Sequence, residues 1–262
     1  MTKKTLSAQE KRQKRIIELL QRDGHVRVTE LSETLEVSEI TIRRDLDYLE
    51  KKHLIERTFG GAISTARLRK EITFSNRSKL EHENKDSIAK IAAGLIEDGD
   101  TVFINGGSTT SHVFRYVNNK NVKLVTINAG CIGQIENSDI ELILAGGLYR
   151  YQSNSFVGGI TTNILNQVNA SKAILGVDAL SCLYGMTTPN FQAVETTKLM
   201  MDRTSGEIIV VTDHRKIGLV SDYVTAPISR IDTLISDYLL DQEFIKEIKD
   251  LGIKVILTEP PG

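Results

Sequence analysis

The chain has 262 residues, 40% of them hydrophobic and 26% charged, with 19 glycines and only 4 prolines, which excludes a disordered or fibrous chain and suits one large domain or a small and a medium one. No stretch approaches membrane-spanning length and the basic N-terminus precedes no signal-length apolar run, so a cytoplasmic location without membrane contact is expected. Cys131 and Cys182 lie far apart and the 5 histidines are scattered, which offers neither a disulfide framework nor a metal site.

The net charge of -1 hides an uneven distribution: residues 1–70 carry 16 Lys and Arg against 11 Asp and Glu, and the remainder 17 against 23. A basic head on an acidic body suits a nucleic-acid contact at one end, although a solvated helical surface would carry the same excess. Within the head, Ile16, Ile17, Leu19 and Leu20 give residues 8–22 the narrow apolar stripe of a surface helix, ended at Asp23-Gly24. Val26 and Val28 flank a short extended piece, and Thr29 is placed to cap a second helix over 30–35, with Leu31 and Leu35 one turn apart. Ser38 or Thr41 can cap a third helix that buries Ile42, Leu46 and Leu49 and leaves Arg43 and Arg44 off that stripe. Two short helices joined tightly, the second opening on hydroxyl residues and adjacent arginines, match the needs of a recognition helix: hydroxyls and N–H groups for phosphate, arginine for guanine. Short extended segments around a turn over 54–63 form a wing that carries Arg57. A three-helix unit of this size also suits a dimerisation module.

The run from Gly24, GHVRVTELSETLEVSEITIRRDLDYLEKKHLIERTFGGA, resembles the N-terminal domain of DeoR-type bacterial transcriptional regulators, above all in TIRRDL at 41–46 followed by a wing arginine and GGA. The resemblance implies a winged helix-turn-helix that binds double-stranded operator DNA. Thr29, Ser38, Thr41, Arg43, Arg44 and Arg57 are the expected DNA-contacting residues. Residues 1–66 are then the DNA-binding domain, the polar segment 67–84 a linker, and 85–262 a second domain.

From Lys85 the pattern changes to near-continuous apolar strands alternating with helices, which argues for an α/β layer fold around a largely parallel sheet. A helix with Ile88, Ala89, Ile91, Ala92, Ala93, Leu95 and Ile96 precedes a strand over 101–104; further strands are expected at 122–127, 140–144, 173–176, 207–212, 233–235 and 254–257, and helices at about 110–118, 191–204 and 241–251. The strongest chemical signal is NGGSTT at 105–110, between a strand and a helix, where glycines permit close approach and hydroxyls and N–H groups suit a phosphate. It lacks the lysine of a P-loop and the order of a dinucleotide fingerprint, so neither a nucleoside-triphosphatase nor a dinucleotide fold is supported, and a plain capped turn would use the same residues. Asn128, Gly146-Gly147, Asp178 and Asp213 stand at other strand ends, where open α/β sheets place their ligands.

These motifs, with Glu195 and DHRKIG at 213–218, also occur in the order of the DeoR-type sensor domain, so the resemblance spans about residues 11 to 257. It implies a ribose-phosphate isomerase and CoA-transferase-like α/β fold, no cofactor, an effector that is a sugar phosphate or related small phosphorylated metabolite, and a homo-oligomer, dimer or tetramer. Carried over, Gly106, Gly107, Ser108, Thr109 and Thr110 form the phosphate cradle, Asn128, Asp178 and Glu195 meet the sugar, Lys216 supplies positive charge, and Lys85 and Gly147 complete the effector site. Asn105 stands where many members have aspartate, GVDA lacks a following glycine, and DHRK replaces a more usual Asp-Ser-Ser-Lys, which puts the identity of the effector in doubt. Asp178, Glu195 and Lys216 have the chemistry for acid–base work on a sugar. The TIRRDL head, for which an isomerase has no need, favours a carbohydrate-operon repressor without catalytic or metal-binding residues.

Overall fold

The computed structural model describes residues 8–23, 25–51, 54–58, 60–63, 73–117, 121–135 and 139–260. The head consists of α1 (Ala8–Asp23), β1 (His25–Arg27), α2 (Val28–Thr34), α3 (Glu39–Lys51), β2 (Glu56–Thr58) and β3 (Gly61–Ile63). One apolar cluster joins them: Ile16, Leu19 and Leu20 of α1, Leu31 of α2, Ile42, Leu46 and Leu49 of α3, and Val26, Ile55 and Ala62 around the strands. The piece around Val26 is a third strand of the wing, pairing antiparallel with β3 in the order β1-β3-β2. A Cβ at Gly61 would fall 2.0 Å from the Val26 carbonyl oxygen, so glycine is required where β3 crosses β1. The second helix starts earlier than its sequence suggests. Val28 N–H donates to the Gly60 carbonyl of the wing at 2.8 Å, which satisfies a first-turn donor and leaves Thr29 inside the helix instead of capping it.

Of the expected linker, residues 67–72 lie outside the described residues, as do the domain boundary at 66 and the helix end at Asn118. The rest is helical: α4 (Phe74–Lys79) leads into α5 (His82–Gly94), and α4 is fastened to the second domain by the Phe74 N–H, which donates to Gln152 O at 2.7 Å. Seven parallel strands follow, β4 (Thr101–Ile104), β5 (Lys123–Thr126), β6 (Glu141–Leu144), β9 (Ala170–Gly176), β12 (Thr204–Val211), β14 (Thr233–Ser236) and β15 (Lys254–Leu257), in the order β15-β14-β12-β9-β4-β5-β6. Between them lie α6 (Thr110–Val113), the hairpin β7 (Leu148–Arg150) and β8 (Ser155–Val157), α7 (Gly159–Asn166), α8 (Phe191–Asp202) and α9 (Gln242–Asp250). A small antiparallel sheet, β10 (Ala179–Ser181), β11 (Gly185–Thr188) and β13 (Tyr223–Ala226), completes the domain.

Both faces of the large sheet are covered, and alternation along the strands decides which residue faces which layer. Phe103, Val125, Leu175, Val210 and Leu234 join Leu165 of α7, Met200 of α8 and Phe244 of α9. Their neighbours Val102, Ile104, Leu124, Ile174, Ile209 and Ile235 join Ile88, Ala89, Ala92 and Ala93 of α5, whose alanines allow the helix to lie close to the sheet. The chain runs outward from β4 to β6, then returns to the other side of β4 as β9. That reversal between β4 and β9 is the topological switch point of the sheet.

Candidate DNA-binding and effector sites

In the head, the fold presents α3 on a buried ionic support. Asp45, 1% exposed, accepts from Gln13 Nε2 at 3.0 Å and pairs with Arg12, so α1 fixes the orientation of α3 from behind. Ser38 caps α3: the Thr41 N–H lies 2.9 Å from Ser38 O and 3.4 Å from its Oγ, and the two hydroxyls meet at 2.9 Å. Arg43 and Arg44 are exposed, Arg43 reaching Glu39 at 3.2 Å. Thr29 is exposed on the first turn of α2. Arg57 turns back from the wing, its guanidinium 3.6 Å from Asp47 of α3 and its N–H donating to Glu50. Thus Ser38, Thr41, Arg43 and Arg44 lie along the N-terminal half of α3, whereas Arg57 is held beside its C-terminal half, at Asp47 and Glu50.

In the second domain a polar pocket opens at the switch point. Its floor is the turn after β4, Asn105 to Thr109, and the end of β9, Gly176 to Asp178; Ser153 and Ser155 of the β7–β8 hairpin, Thr187 and Thr188 of β11, Thr196 and Thr197 of α8, Arg77 of α4 and Lys216 enclose it. Asn105 joins the diverging strands: its Nδ2 donates to Gly176 O at 2.9 Å and its Oδ1 accepts from Gly176 N at 2.8 Å. An aspartate would keep only the second bond and set a carboxylate against a carbonyl. Asn105→Asp is therefore expected to cost the domain about 2 kcal/mol, read as a lowered thermal midpoint of this domain alone.

The turn itself is built for close approach. A Cβ at Gly106 would lie 2.6 Å from Ser155 Cβ. Ser108 and Thr109, 2% and 1% exposed, line the pocket, and their buried hydroxyls have no hydrogen-bond partner among the described residues. Buried donors in that condition are costly unless something meets them. Thr110 does not line the pocket: its hydroxyl donates back to Asn105 O at 2.9 Å and closes the turn. Asn128 also stands behind it, Nδ2 donating to Gly107 O at 3.2 Å. The expected helix 110–118 is a single α-turn followed by a 3-10 turn over Phe114–Tyr116, so fixed cations carry more of the site's positive potential than a helix end does.

Those cations are Arg77, Lys85, Arg215 and Lys216, set against Asp178, Asp213 and Glu81, an excess of one positive charge. Arg77 pairs with Asp178 at 2.5 Å, and Asp178 also accepts from Thr188 at 2.7 Å. Lys216 donates to Val177 O at 2.9 Å; burial pushes its ammonium below the usual lysine value, with Asp213 and Asp178 opposing. Burial alone would raise Asp213, but Lys216, Arg215 and Lys85 hold it below the ordinary carboxylate range. Lys85, 1% exposed, lies one layer back, donating at 2.5 Å to the carbonyls of Arg77 and Leu80 at the end of α4. Burial, helped by Lys216, pushes it down to about 8.

Gly106, Gly107, Ser108, Thr109, Asp178 and Lys216 thus converge on the pocket. Glu195 does not: α8 turns Ala193, Thr196 and Thr197 inward, and the 100° step between residues leaves Glu195 exposed on the outer side. Gly147 is likewise elsewhere, where a Cβ would strike the Thr161 hydroxyl at 2.3 Å. Arg77 was hidden in a stretch that reads as linker, and Ser153 and Ser155 in a hairpin too short for a strand pattern, so the sequence carries no local signal for them.

Residues 12–67 match the DeoR-like helix-turn-helix domain and residues 80–238 the DeoR C terminal sensor domain. The chain belongs to the DeoR family of transcriptional regulators. It is 32% identical over 246 residues, 94% of this chain and 96% of the relative, to the HTH-type transcriptional regulator GlpR of Haloferax volcanii. It is 30% identical over 259 residues, 97% of this chain and 96% of the relative, to a putative aga operon transcriptional repressor of Escherichia coli O157:H7. It is 29% identical over 252 residues, 96% of this chain and 97% of the relative, to the HTH-type transcriptional repressor GlcR of Bacillus subtilis. Ribose 5-phosphate isomerase A of Methanocaldococcus jannaschii aligns at a TM-score of 0.38 and 17% identity, over 52% of this chain and 54% of that one. Among the described residues of this DeoR-family chain, no helix is long and apolar enough to cross a membrane.

Proposed function

We propose that this DeoR-family regulator is a repressor of a carbohydrate-metabolism operon whose grip on operator DNA is set by a sugar phosphate bound at the switch point of its sensor domain. The observation that carries this reading is the pocket: two buried, unpartnered hydroxyls on a glycine turn facing Arg77 and Lys216. A phosphate supplies acceptors for both hydroxyls and neutralises the cationic excess, while the sugar would lie along the wall formed by Thr187 and Thr197, whose hydroxyls accept from Ser221 N–H and Asn105 Nδ2. The same surroundings argue against an isomerase, because Asp178 is engaged by Arg77 and Thr188 and Glu195 faces outward.

The pocket also has a route to the head. Lys216 closes the turn after β12, and in that turn the His214 carbonyl accepts from Arg27 Nη2 of the wing at 3.3 Å. Arg27 in turn precedes the first residue of α2. A homodimer or tetramer would place two such heads on repeated half-sites. The test is an operator-shift titration over a panel of sugar phosphates, with the promoter region upstream of the protein's own gene as probe. A concentration-dependent change in operator affinity with one class of sugar phosphate supports the proposal; unchanged affinity across the panel refutes it.

Effector binding should depend on pH through Lys85. Its ammonium is charged below about 8 and loses its proton as the pH rises through that value. A bound anion favours the charged form, so effector affinity is expected to hold near neutrality and fall between pH 8 and 10, as calorimetry would show. The ligand-free sensor behaves oppositely. The cost of burying the ammonium is fully present below 8, and between there and the ordinary lysine value of 10.5 the folded state sheds its proton first, so stability rises.

A further inference from the structure

The buried side of α3 is complete in Ile42, Asp45, Leu46 and Leu49. At 100° per residue, the ridge opposite runs through Ile40, Arg44 and Asp47, all exposed. Ile40 is the second residue of the helix and 65% exposed. Its neighbours on either side are engaged, Glu39 with Arg43 and Thr41 with Ser38, so Ile40 stands between polar groups as the foremost apolar one. Local structure does not ask for it: isoleucine is a weaker helix former than the straight-chain residues, and the first turn favours acidic or hydroxyl side chains.

The first turn of a recognition helix is the part that meets base edges. In the major groove the base edges offer donors, acceptors and one apolar group, the C5-methyl of thymine. We infer that Ile40 is a specificity-determining residue that packs on a thymine methyl of the operator, next to the base pair addressed by Arg44. The inference rests on the DNA-binding reading of the head and adds to it a base that hydrogen-bonding residues alone would not select.

Uracil is thymine without that methyl, which permits a test at single-atom resolution. The full chain selects its preferred site from a random-sequence duplex library, and each thymine of the half-site is then replaced singly by uracil. At one position the wild-type protein should lose about fourfold in affinity, the worth of one buried methyl. Ile40→Ala should weaken the thymine duplex by about tenfold and show no further loss with uracil there, while Ile40→Val keeps part of the sensitivity. The side chain is exposed, so an unchanged thermal midpoint of the head would confirm that the variants fold. Indifference of the wild-type protein to every uracil, or undiminished uracil sensitivity in Ile40→Ala, would overturn the inference while leaving DNA binding intact. Selection of no duplex at all would overturn the DNA-binding reading and this inference with it.

Discussion

Lys216→Met should weaken sugar-phosphate binding by about a hundredfold while leaving the operator affinity of the ligand-free protein within twofold. Methionine keeps the length of the stem and removes only the ammonium, which lies in the pocket wall and bonds Val177 O at 2.9 Å. Burial gives that charge little water to lose, so its attraction for an anion is poorly screened, and truncating one partner of such a pair costs about 3 kcal/mol. Arg77 remains, which is why binding should be impaired and not erased. Asp213 retains Arg215 at 3.1 Å, so the sensor should still fold. Calorimetry with the sugar phosphate that acts in the operator shift checks the claim, and an unchanged affinity would remove Lys216 from the site.

Asp45→Ala should do the reverse, abolishing operator binding while sparing the sensor. Its carboxylate is buried between α1 and α3 and is the shared acceptor of Arg12 and Gln13. Removing it leaves a cation and an amide facing a cavity, and breaking a buried pair from one side costs about 3 kcal/mol. A head whose apolar cluster comprises Ile16, Leu20, Leu31, Ile42 and a few more side chains has little stability in reserve. Calorimetric scanning should show the head unfolding at a clearly lower temperature, with the sensor transition and the sugar-phosphate affinity unmoved. A head transition at the wild-type temperature would show that α3 does not depend on this support.

The two mutations separate what was legible in the sequence from what was not. The stripe of Ile42, Leu46 and Leu49 placed α3 and put Arg43 and Arg44 outside, because helix periodicity states directly which side is buried. Asp45 lies on the same stripe, three residues after Ile42 and four before Leu49, so periodicity alone puts a carboxylate on the buried side; that Arg12 and Gln13 meet it there follows only from the docking of α1. In the sensor, TVFI at 101–104 and KVIL at 254–257 coincide with β4 and β15, since continuous apolar runs bounded by turn residues mark buried strands. The small sheet of β10, β11 and β13 left no such mark, because its strands are three or four residues long and mix serine and threonine with apolar side chains. NGGSTT marked a glycine turn between a strand and a helix, but which of its residues line the pocket depended on tertiary geometry. Ser108 and Thr109 line the pocket while Thr110 turns back to Asn105 O. Arg77 shows the limit most clearly: its role comes from α4 docking across 101 residues of chain onto Asp178, which no local pattern records.

Under the proposed function, pocket and head share one equilibrium. Binding free energies around such a cycle must close, so the factor by which effector changes operator affinity is also the factor by which operator changes effector affinity. The most direct measurement is the sugar-phosphate dissociation constant of the full chain, by calorimetry, free and saturated with operator duplex. The account predicts that the two constants differ, by the same factor that effector imposes on operator affinity. Equal constants, with effector bound tightly in both cases, would contradict it.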